Sequence, residues 1–374
     1  MPTGSVELSR VTVERLHPMG SFRCSLPTLS ERASVVHKLT LALSSIHRYR
    51  VQRLMRILSP HVSGVQLSVE PVEEAFRGHR RLAKWRRLSY GLYVPDQEPR
   101  RLAEELRAWS LVLPARAAFT HLTAAELRGW WLPQPVPHPV FAALREGDPC
   151  PHRAGLYVSR HPLRVPSELV SGVRLTTPAE TMLAAARDLG VLDLVLMGDS
   201  ALRLGHCTID ELAEGAARRR RGAPMLRRII RMLDVRSESP WESVMRVLHR
   251  AADIPVEPQH EVFDHWGRFV ARGDLWIVGT NRLHEFDGGG HREPDIQRSD
   301  LTRDRRLIEA DWQRFGFTKA QLLNEGASII ASTDRLLGRS WDPERLRRWN
   351  ALIANSMCGR PGRARALRHW RLAR

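Results

Sequence analysis

The feature that most constrains the fold is a series of β-strand patterns that follows one amphipathic helix pattern in the last third of the chain. The helix pattern begins at Ser239 and places apolar residues at helical spacing. Short apolar runs separated by turn residues come next, at residues 261–263, 269–271, 274–278 and 282–287. A helix over residues 300–312, a strand over 314–318 and a helix over 343–353 complete the pattern. It predicts an α/β (α+β) domain with helices on both faces of a mixed sheet.

The chain of 374 residues is long enough for two or three domains that each bury a core. We expect a poorly defined N-terminal extension with one basic helix, a winged-helix-type DNA-binding region, the helix–sheet–helix domain and an Arg-rich disordered tail. The expected bounds are 1–75, 76–235, 236–356 and 357–374. In the second region, residues 86–94 suit a turn into a strand, and Thr123 suits the N-cap of a helix that ends at Gly129.

The net charge of +17 at pH 7 points to a polyanionic partner, because a basic surface gains affinity when a polyanion releases its counterions. DNA is the natural partner on this ground. An alternative stays open, since nearly all the positive charge is arginine and lysine stands only at positions 38, 84 and 319. A GC-rich genome would produce this composition without selection for DNA binding.

Membrane and disulfide-stabilised classes are not expected. No apolar run approaches the ~18 residues that a membrane span needs, and charged residues interrupt the first turns, where a secretion signal would be apolar. The four cysteines lie far apart with no C-x-x-C pair, so neither a zinc site nor a disulfide framework is expected. We therefore expect a cytoplasmic protein without a membrane partner. Whether it forms a homodimer stays open.

Acidic residues stand where a metal-dependent phosphodiesterase would need them. Asp274 begins one predicted strand and Glu285 lies near the end of the next, so adjacent strands would bring both carboxylates to one end of the sheet. Asp287 lies two residues after Glu285 and points to the same face. Carboxylates bind Mg²⁺ (or Mn²⁺), which activates water for hydrolysis of a phosphodiester bond. We expect Asp274, Glu285 and Asp287 to be metal ligands and catalytic residues.

Two further catalytic candidates, Glu242 and His291, each have a structural alternative. Glu242 would complete a capping box with Ser239, which needs no metal. His291 follows a glycine run, where an imidazole could move a proton, bind the metal or simply be solvated. Asp287 has an alternative too, because Asp before Gly is a common turn pair.

Several motifs in the last third of the chain follow one another in a set order. They are Pro240-Trp241-Glu242, Pro258-Gln259-His260, Arg272-Gly273-Asp274-Leu275, Glu285-Phe286-Asp287-Gly288 with His291, and Asp300-x-x-Arg303-Asp304-x-x-Leu307 with Trp312. In this order they resemble the very-short-patch-repair-like endonuclease domains of the PD-(D/E)xK (restriction-endonuclease-like) superfamily. The resemblance implies a restriction-endonuclease-like fold for this part of the chain.

The resemblance also implies roles for four residues. Asp274 and Glu285 correspond to metal ligands, and Glu242 corresponds to the helix-borne acid of the site. Gln259 corresponds to a polar residue that lines the site where substrate binds.

One departure from the superfamily concerns charge. Its general pattern has a lysine two residues after the second acid, where this chain has Asp287. Asp287 and His291 resemble the family's own variation on the active site. Stabilisation of the substrate's charge would then fall to Arg303, Lys319, His291 or a second metal.

The middle of the chain carries a second resemblance. Residues 92–94, 120–129 and 175–181 resemble the antitoxin-type domain of abortive-infection systems, which is similar to a winged helix-turn-helix followed by a small α/β module. This resemblance implies that residues 76–235 bind DNA while the last domain acts on it.

These observations predict a metal-dependent DNA endonuclease, an enzyme that acts in defence, mobile-element biology or repair. The alternative is a binding protein, an antitoxin-like transcriptional regulator whose nuclease-like domain does not cut. A third interpretation makes the acids ordinary surface residues of a structural domain.

Overall fold

The structure is a computed structural model that describes residues 76–77, 84–96, 99–133, 137–288 and 294–370. All of them lie in the unit formed by Glu73–Arg374. The N-terminal extension expected over 1–75 lies outside the described residues, and so does His291. The described chain combines many helices with several sheets, which confirms the predicted α/β class.

The first sheet is small and antiparallel, with strand order β1-β3-β2. Its strands are β1 (Phe76–Arg77), β2 (Trp85–Ser89) and β3 (Leu92–Pro95). Gly91 lies in the turn between β2 and β3 at φ +61°, a left-handed conformation that favours glycine. Helix α1 (Leu102–Ser110) packs on β3. Residues 86–94 were expected to form a turn into a strand. They form a β-hairpin instead, because the residues before the turn belong to strand β2.

The second sheet has the strand order β6-β5-β4-β8-β7 and mixes parallel with antiparallel pairs. Its strands are β4 (Ala118–Phe119), β5 (Val140–Arg145), β6 (Leu156–His161), β7 (Ser167–Val170) and β8 (Val173–Thr176).

Helix α2 (His121–Leu127) follows β4 and ends before Gly129, as expected. Its N-cap residue is Thr120 and not Thr123, so that prediction was wrong. Thr123 is buried within the helix, where its Oγ1 accepts a hydrogen bond from the Phe141 N–H at 3.0 Å. That bond joins residues distant in sequence, which a local capping pattern does not show.

Helices follow the second sheet: α3 (Pro178–Ala185), α4 (Val191–Arg203), α5 (Ile209–Ala217) and α6 (Ala223–Ile230). Residues 191–202 of α4 are all buried. A helix that is buried on every side lies at the centre of its structure, and α4 has that place here.

The third sheet follows helix α7 (Pro240–Ala251) and has the strand order β12-β11-β10-β9. β9 (Val256–Phe263), β10 (Phe269–Ile277) and β11 (Arg282–Phe286) form antiparallel pairs. Helix α8 (Pro294–Glu309) then connects β11 to β12 (Gln313–Phe317), which runs parallel to it. The closing elements are α9 (Lys319–Asn324), α10 (Gly326–Leu336), a 3₁₀ turn (Pro343–Leu346) and α11 (Arg347–Asn355).

Helices α7 and α8 cover opposite faces of the third sheet. His284 of β11 forms a hydrogen bond with His249 of α7. The preceding residue, Leu283, packs in a hydrophobic cluster with Leu307 of α8. Successive residues of a strand point to opposite faces, so the two helices enclose the sheet. The helix–sheet–helix order expected from the sequence is therefore present.

The expected disordered tail contains a helix, α12 (Arg360–His369), in the part that the structure describes. Trp370 after it is buried, and its ring meets Phe141 edge-on with centroids 5.3 Å apart. Its Nε1 donates to Asp188 Oδ2 at 3.2 Å. The prediction of disorder was wrong for residues 360–370, because the many arginines concealed one apolar side formed by Ala366 and Trp370.

One hydrophobic cluster of buried residues extends from Leu122 to Trp370 and includes side chains of α4, α7 and the third sheet. A smaller cluster lies between α1 and the first two sheets, and another between the third sheet and α8. Among the residues that the structure describes, no helix has both the length and the apolar character needed to cross a membrane.

A fully buried ion pair joins α7 to α4. Arg246 Nη2 donates to Asp199 Oδ2 at 2.5 Å, and neither side chain is exposed. Asp199 also accepts from Ser243 Oγ at 2.6 Å and from the Asp234 N–H at 2.8 Å, while Arg246 Nη1 donates to Met232 O at 2.6 Å. A buried ion pair is tolerated when further hydrogen bonds satisfy its atoms. Here they satisfy Asp199 and both Nη atoms of Arg246, whereas Arg246 Nε is buried without a partner among the described residues.

Arg246→Met should destabilise the protein by about 3–5 kcal/mol, because Asp199 would stay buried without its cation. The double variant with Asp199→Leu should recover part of this loss, because it leaves no unpaired charge. Urea unfolding measures both. Arg335→Met, a change at an exposed arginine of α10, is the control and should alter stability by less than about 0.5 kcal/mol. A loss below about 1 kcal/mol for Arg246→Met would contradict the prediction.

Candidate active site

Glu242 lies in the first turn of α7, which Pro240 starts and Ser239 caps. Ser239 Oγ accepts from the Glu242 N–H at 3.2 Å, so half of the expected capping box forms. The carboxylate has other partners: Oε2 accepts from the Glu238 N–H at 2.7 Å and from Gln259 Nε2 at 2.9 Å. Burial raises the pKa of Glu242. The side chain is therefore turned toward the third sheet.

Gln259 of β9 has a φ of +57°, a left-handed conformation that is rare for a residue with a side chain. Its neighbours at 258 and 260 pair with residues 275 and 273 of β10, so Gln259 lies across from Asp274. Such backbone strain costs about 1–3 kcal/mol and is concentrated at functional sites. Here it accompanies the hydrogen bond from the Gln259 amide to Glu242.

Asp274 lies inside β10 and not at its start, where the sequence placed it. Leu275 of β10 pairs with His284 of β11. Next to that pair, the Oδ2 of Asp274 accepts a hydrogen bond from the Phe286 N–H at 2.9 Å. The carboxylate thus binds a backbone group of β11 at the point where the strands stop pairing.

The pKa of Asp274 is raised to about 7. Burial is the largest cause, and repulsion from the charges of Glu242 and Glu285 adds to it. The hydrogen bond from Phe286 and the charge of Arg303 act in the opposite direction. Repulsion of this kind acts between carboxylates that lie near one another with little water between them. Gln259, which bonds Glu242, lies across from Asp274, and Phe286, which bonds Asp274, follows Glu285. The structure therefore brings Glu242, Asp274 and Glu285 together.

Glu285 near the end of β11 is held by two arginines. Arg303 Nη2 of α8 donates to its Oε1 at 2.5 Å, and Arg314 Nη1 of β12 donates to its Oε2 at 2.9 Å. Arg303 Nη2 also donates to Arg272 O at 2.7 Å, which fixes the guanidinium against β10. The arginines supply positive charge where the acids meet.

Arg314 was not among the residues expected at the site, and neither was Asp304. Arg314 Nη2 donates to Asp304 Oδ2 at 3.0 Å while Nη1 holds Glu285. The parallel pairing of β12 with β11 places Arg314 opposite Leu283, two positions before Glu285. The one signal for Arg314 in the sequence was an arginine in a short strand that also carries two phenylalanines.

Asp287 lies just past β11, where its N–H donates to Phe317 O at 2.9 Å. It is half-buried and shares a cavity of about 550 Å³ with Glu285, Asp304 and Arg314. The structure therefore places Asp287 beside Glu285, as the two-residue spacing predicts.

Lys319 starts α9, and its Nζ lies 5.0 Å from the ring centroid of Trp241. Trp241 in turn stacks on Phe286 with centroids 5.9 Å apart. Trp241 precedes Glu242, and the Phe286 N–H donates to Asp274. Through these two aromatic residues, Lys319 lies close to both of these acids.

The donors of this site fit a hard divalent cation, because Glu242, Asp274 and Glu285 all offer carboxylate oxygens. Burial first, and then the charges of Glu242 and Glu285, raise the pKa of Asp274. Within residues 76–370 as far as they are described, however, no three His, Cys, Asp or Glu side chains are already arranged around a metal position.

Comparison with known proteins finds relatives in Mycobacterium tuberculosis. The chain is 28% identical over 263 residues to the uncharacterized protein MT2308 of strain CDC 1551 / Oshkosh, which is 68% of this chain and 93% of that protein. The uncharacterized protein Rv2248 of strain ATCC 25618 / H37Rv matches to the same extent. No family model matches the chain, and no solved structure matches it.

Asp274→Asn should stabilise the metal-free protein at pH 8 by as much as about 4 kcal/mol. The pKa of Asp274 rises from its usual 3.8 to about 7 on folding, so the folded protein binds an extra proton between these values and loses stability as the pH rises through them. The difference should vanish below about pH 4. Urea unfolding at both pH values measures it. Glu261→Gln, at an exposed acid of β9, is the control; equal stability of Asp274→Asn and the unchanged protein at pH 8 would contradict the prediction.

Proposed function

We propose that this protein is a metal-dependent DNA endonuclease that hydrolyses phosphodiester bonds, in defence, mobile-element biology or repair. The observation that carries the proposal is the meeting of Glu242, Asp274 and Glu285, from α7, β10 and β11, at one place where burial first and then the charges of the two glutamates raise the pKa of Asp274. Perturbed carboxylates of this kind are concentrated at functional sites. The motif order described above supports the same reaction class.

Glu242, Asp274 and Glu285 are the residues that would hold Mg²⁺ or Mn²⁺, with Asp287 next to them. When bound, the ion supplies an activated water and offsets charge that develops on the phosphate. Asp274 binds it as a carboxylate, so the affinity for the ion rises as the pH approaches and passes about 7.

Arg303 and Arg314 take over the task of the lysine that is missing at position 287. Arg303 is fixed by Glu285 and by the Arg272 carbonyl, so its charge stays beside the acids. A guanidinium binds two phosphate oxygens at once, which suits it to a phosphodiester. Lys319 provides a further cation at the end of β12.

DNA is the proposed partner on the basis of charge. The chain carries +17 at pH 7, and a basic protein gains affinity for a polyanion through counterion release. The antitoxin-like region over 76–235 would grip the duplex while the last domain cuts it.

The purified protein should nick supercoiled plasmid DNA with Mg²⁺ or Mn²⁺ and should stop when EDTA is added. Asp274→Ala and Glu285→Ala should each lower the rate by about 100-fold or more, since each removes a group that acts on the reacting phosphate or its metal. Glu261→Gln, at an exposed acid of the neighbouring strand, should leave the rate unchanged. Folded protein that leaves every DNA substrate intact with either metal would refute the proposal.

A second candidate function is an antitoxin-like transcriptional regulator whose nuclease-like domain does not cut. The observation that favours it is the complete engagement of Glu285 by Arg303 and Arg314, which leaves that carboxylate with no oxygen free of an arginine.

If the protein is a regulator, it should bind DNA upstream of its own gene with an affinity that Asp274→Ala does not change. Electrophoretic mobility shifts with and without Mg²⁺ measure this. Arg219→Ala, at an exposed arginine far in sequence from the acids, should weaken that binding and so serves as the comparison. Absent or salt-insensitive DNA binding would exclude the regulator.

A further inference from the structure

Two cavities far in sequence from the candidate active site are lined by arginines. Their volumes are about 720 Å³ and 590 Å³, and Arg187, Arg218, Arg220 and Arg221 line both of them. We call the two together the arginine cavities. They lie where the loop after β6, helix α3 and the loop between α5 and α6 meet.

Glu180 of α3 is the one acidic residue in the lining of the arginine cavities, within the described chain. It is almost fully buried, and Arg220 Nη1 donates to its two oxygens at 2.6 and 2.7 Å. Arg218 Nη1 donates to the same carboxylate at 3.1 Å. One buried negative charge thus holds two arginines in place and leaves the cavity walls positive.

The arginines that remain have no acidic partner in the part of the chain that the structure describes. Arg164, Arg187, Arg219 and Arg221 are exposed to solvent at the cavity walls. The electric potential of the cavity acts on His161, whose pKa falls to about 4 through burial first and then through the charges of Arg220 and Arg187. The walls therefore offer several guanidiniums with free donors to an anion.

The loop that carries residues 218–221 approaches the backbone of α3 closely at its end. Gly222 ends it at φ +89°, and a Cβ at this position would collide with the backbone oxygen of Leu183 in α3. The loop therefore packs directly on α3. A loop backbone that is packed in this way loses less conformational entropy when the loop binds a ligand.

We propose that the arginine cavities bind the phosphate backbone of double-stranded DNA. Guanidiniums bind phosphate oxygens bidentately, and contacts of this kind fix the position of a protein on a duplex without selecting a sequence. The choice of DNA as the ligand rests on the proposed function; the binding site rests on the charge and geometry of the cavities.

The test compares the double variant Arg219→Ala/Arg221→Ala with the unchanged full chain. Fluorescence anisotropy with a labelled duplex about 24 base pairs long, over a range of KCl concentrations, gives the slope of log K against log salt. Two lost phosphate contacts should make this slope shallower by about 2 and weaken binding at least about tenfold at 0.1 M salt. The double variant Arg335→Ala/Arg360→Ala removes the same charge from exposed positions outside the cavities and should change neither value.

An unchanged slope for Arg219→Ala/Arg221→Ala, or an equal change in the control, would overturn the proposal. Tighter binding of an RNA duplex of the same sequence would overturn DNA as the ligand. Plasmid nicking at saturating DNA separates this result from the proposed function. Nicking with an unchanged slope would reject DNA binding by the arginine cavities and support the nuclease proposal. A changed slope without nicking would support DNA binding by the cavities and reject the nuclease proposal.

Discussion

The buried pair of Asp199 and Arg246 is the interaction on which the position of the candidate site depends. Two unscreened charges inside a core must be matched, so α7 has one orientation in which Arg246 reaches its partner on α4. Glu242 lies one turn earlier on α7, and its place beside the third sheet is thereby set from the other side of the protein. Residues 76–235 and the domain that follows them thus pack as one body.

Charge is balanced in opposite ways at the candidate active site and at the arginine cavities. Around Glu285, several acids meet and two arginines compensate them in part, which leaves room for a cation. Around Glu180, several arginines meet and one acid compensates them in part, which leaves room for an anion. A protein that holds a polyanion at one place and a divalent metal at another needs this division.

Regular patterns in the sequence gave correct expectations where the determining contacts are local. Alternating apolar residues marked the strands that carry Asp274 and Glu285, and a two-residue spacing put Asp287 beside Glu285. The expectations for Thr123 and for the tail failed and Arg314 was not expected, because tertiary contacts decide all three. Thr123 bonds a strand that comes later in the chain, Trp370 packs on Phe141, and Arg314 reaches Glu285 through the parallel pairing of β12.

The packing of Trp370 on a much earlier part of the chain has a consequence for biosynthesis. Trp370 bonds Asp188, a partner 182 positions earlier, and its ring closes the apolar layer around Phe141. On the ribosome, every other element that lines this layer is translated long before Trp370 is. The first half of the described structure therefore has an uncovered hydrophobic surface until residue 370 is translated, and the contact that covers it is non-local.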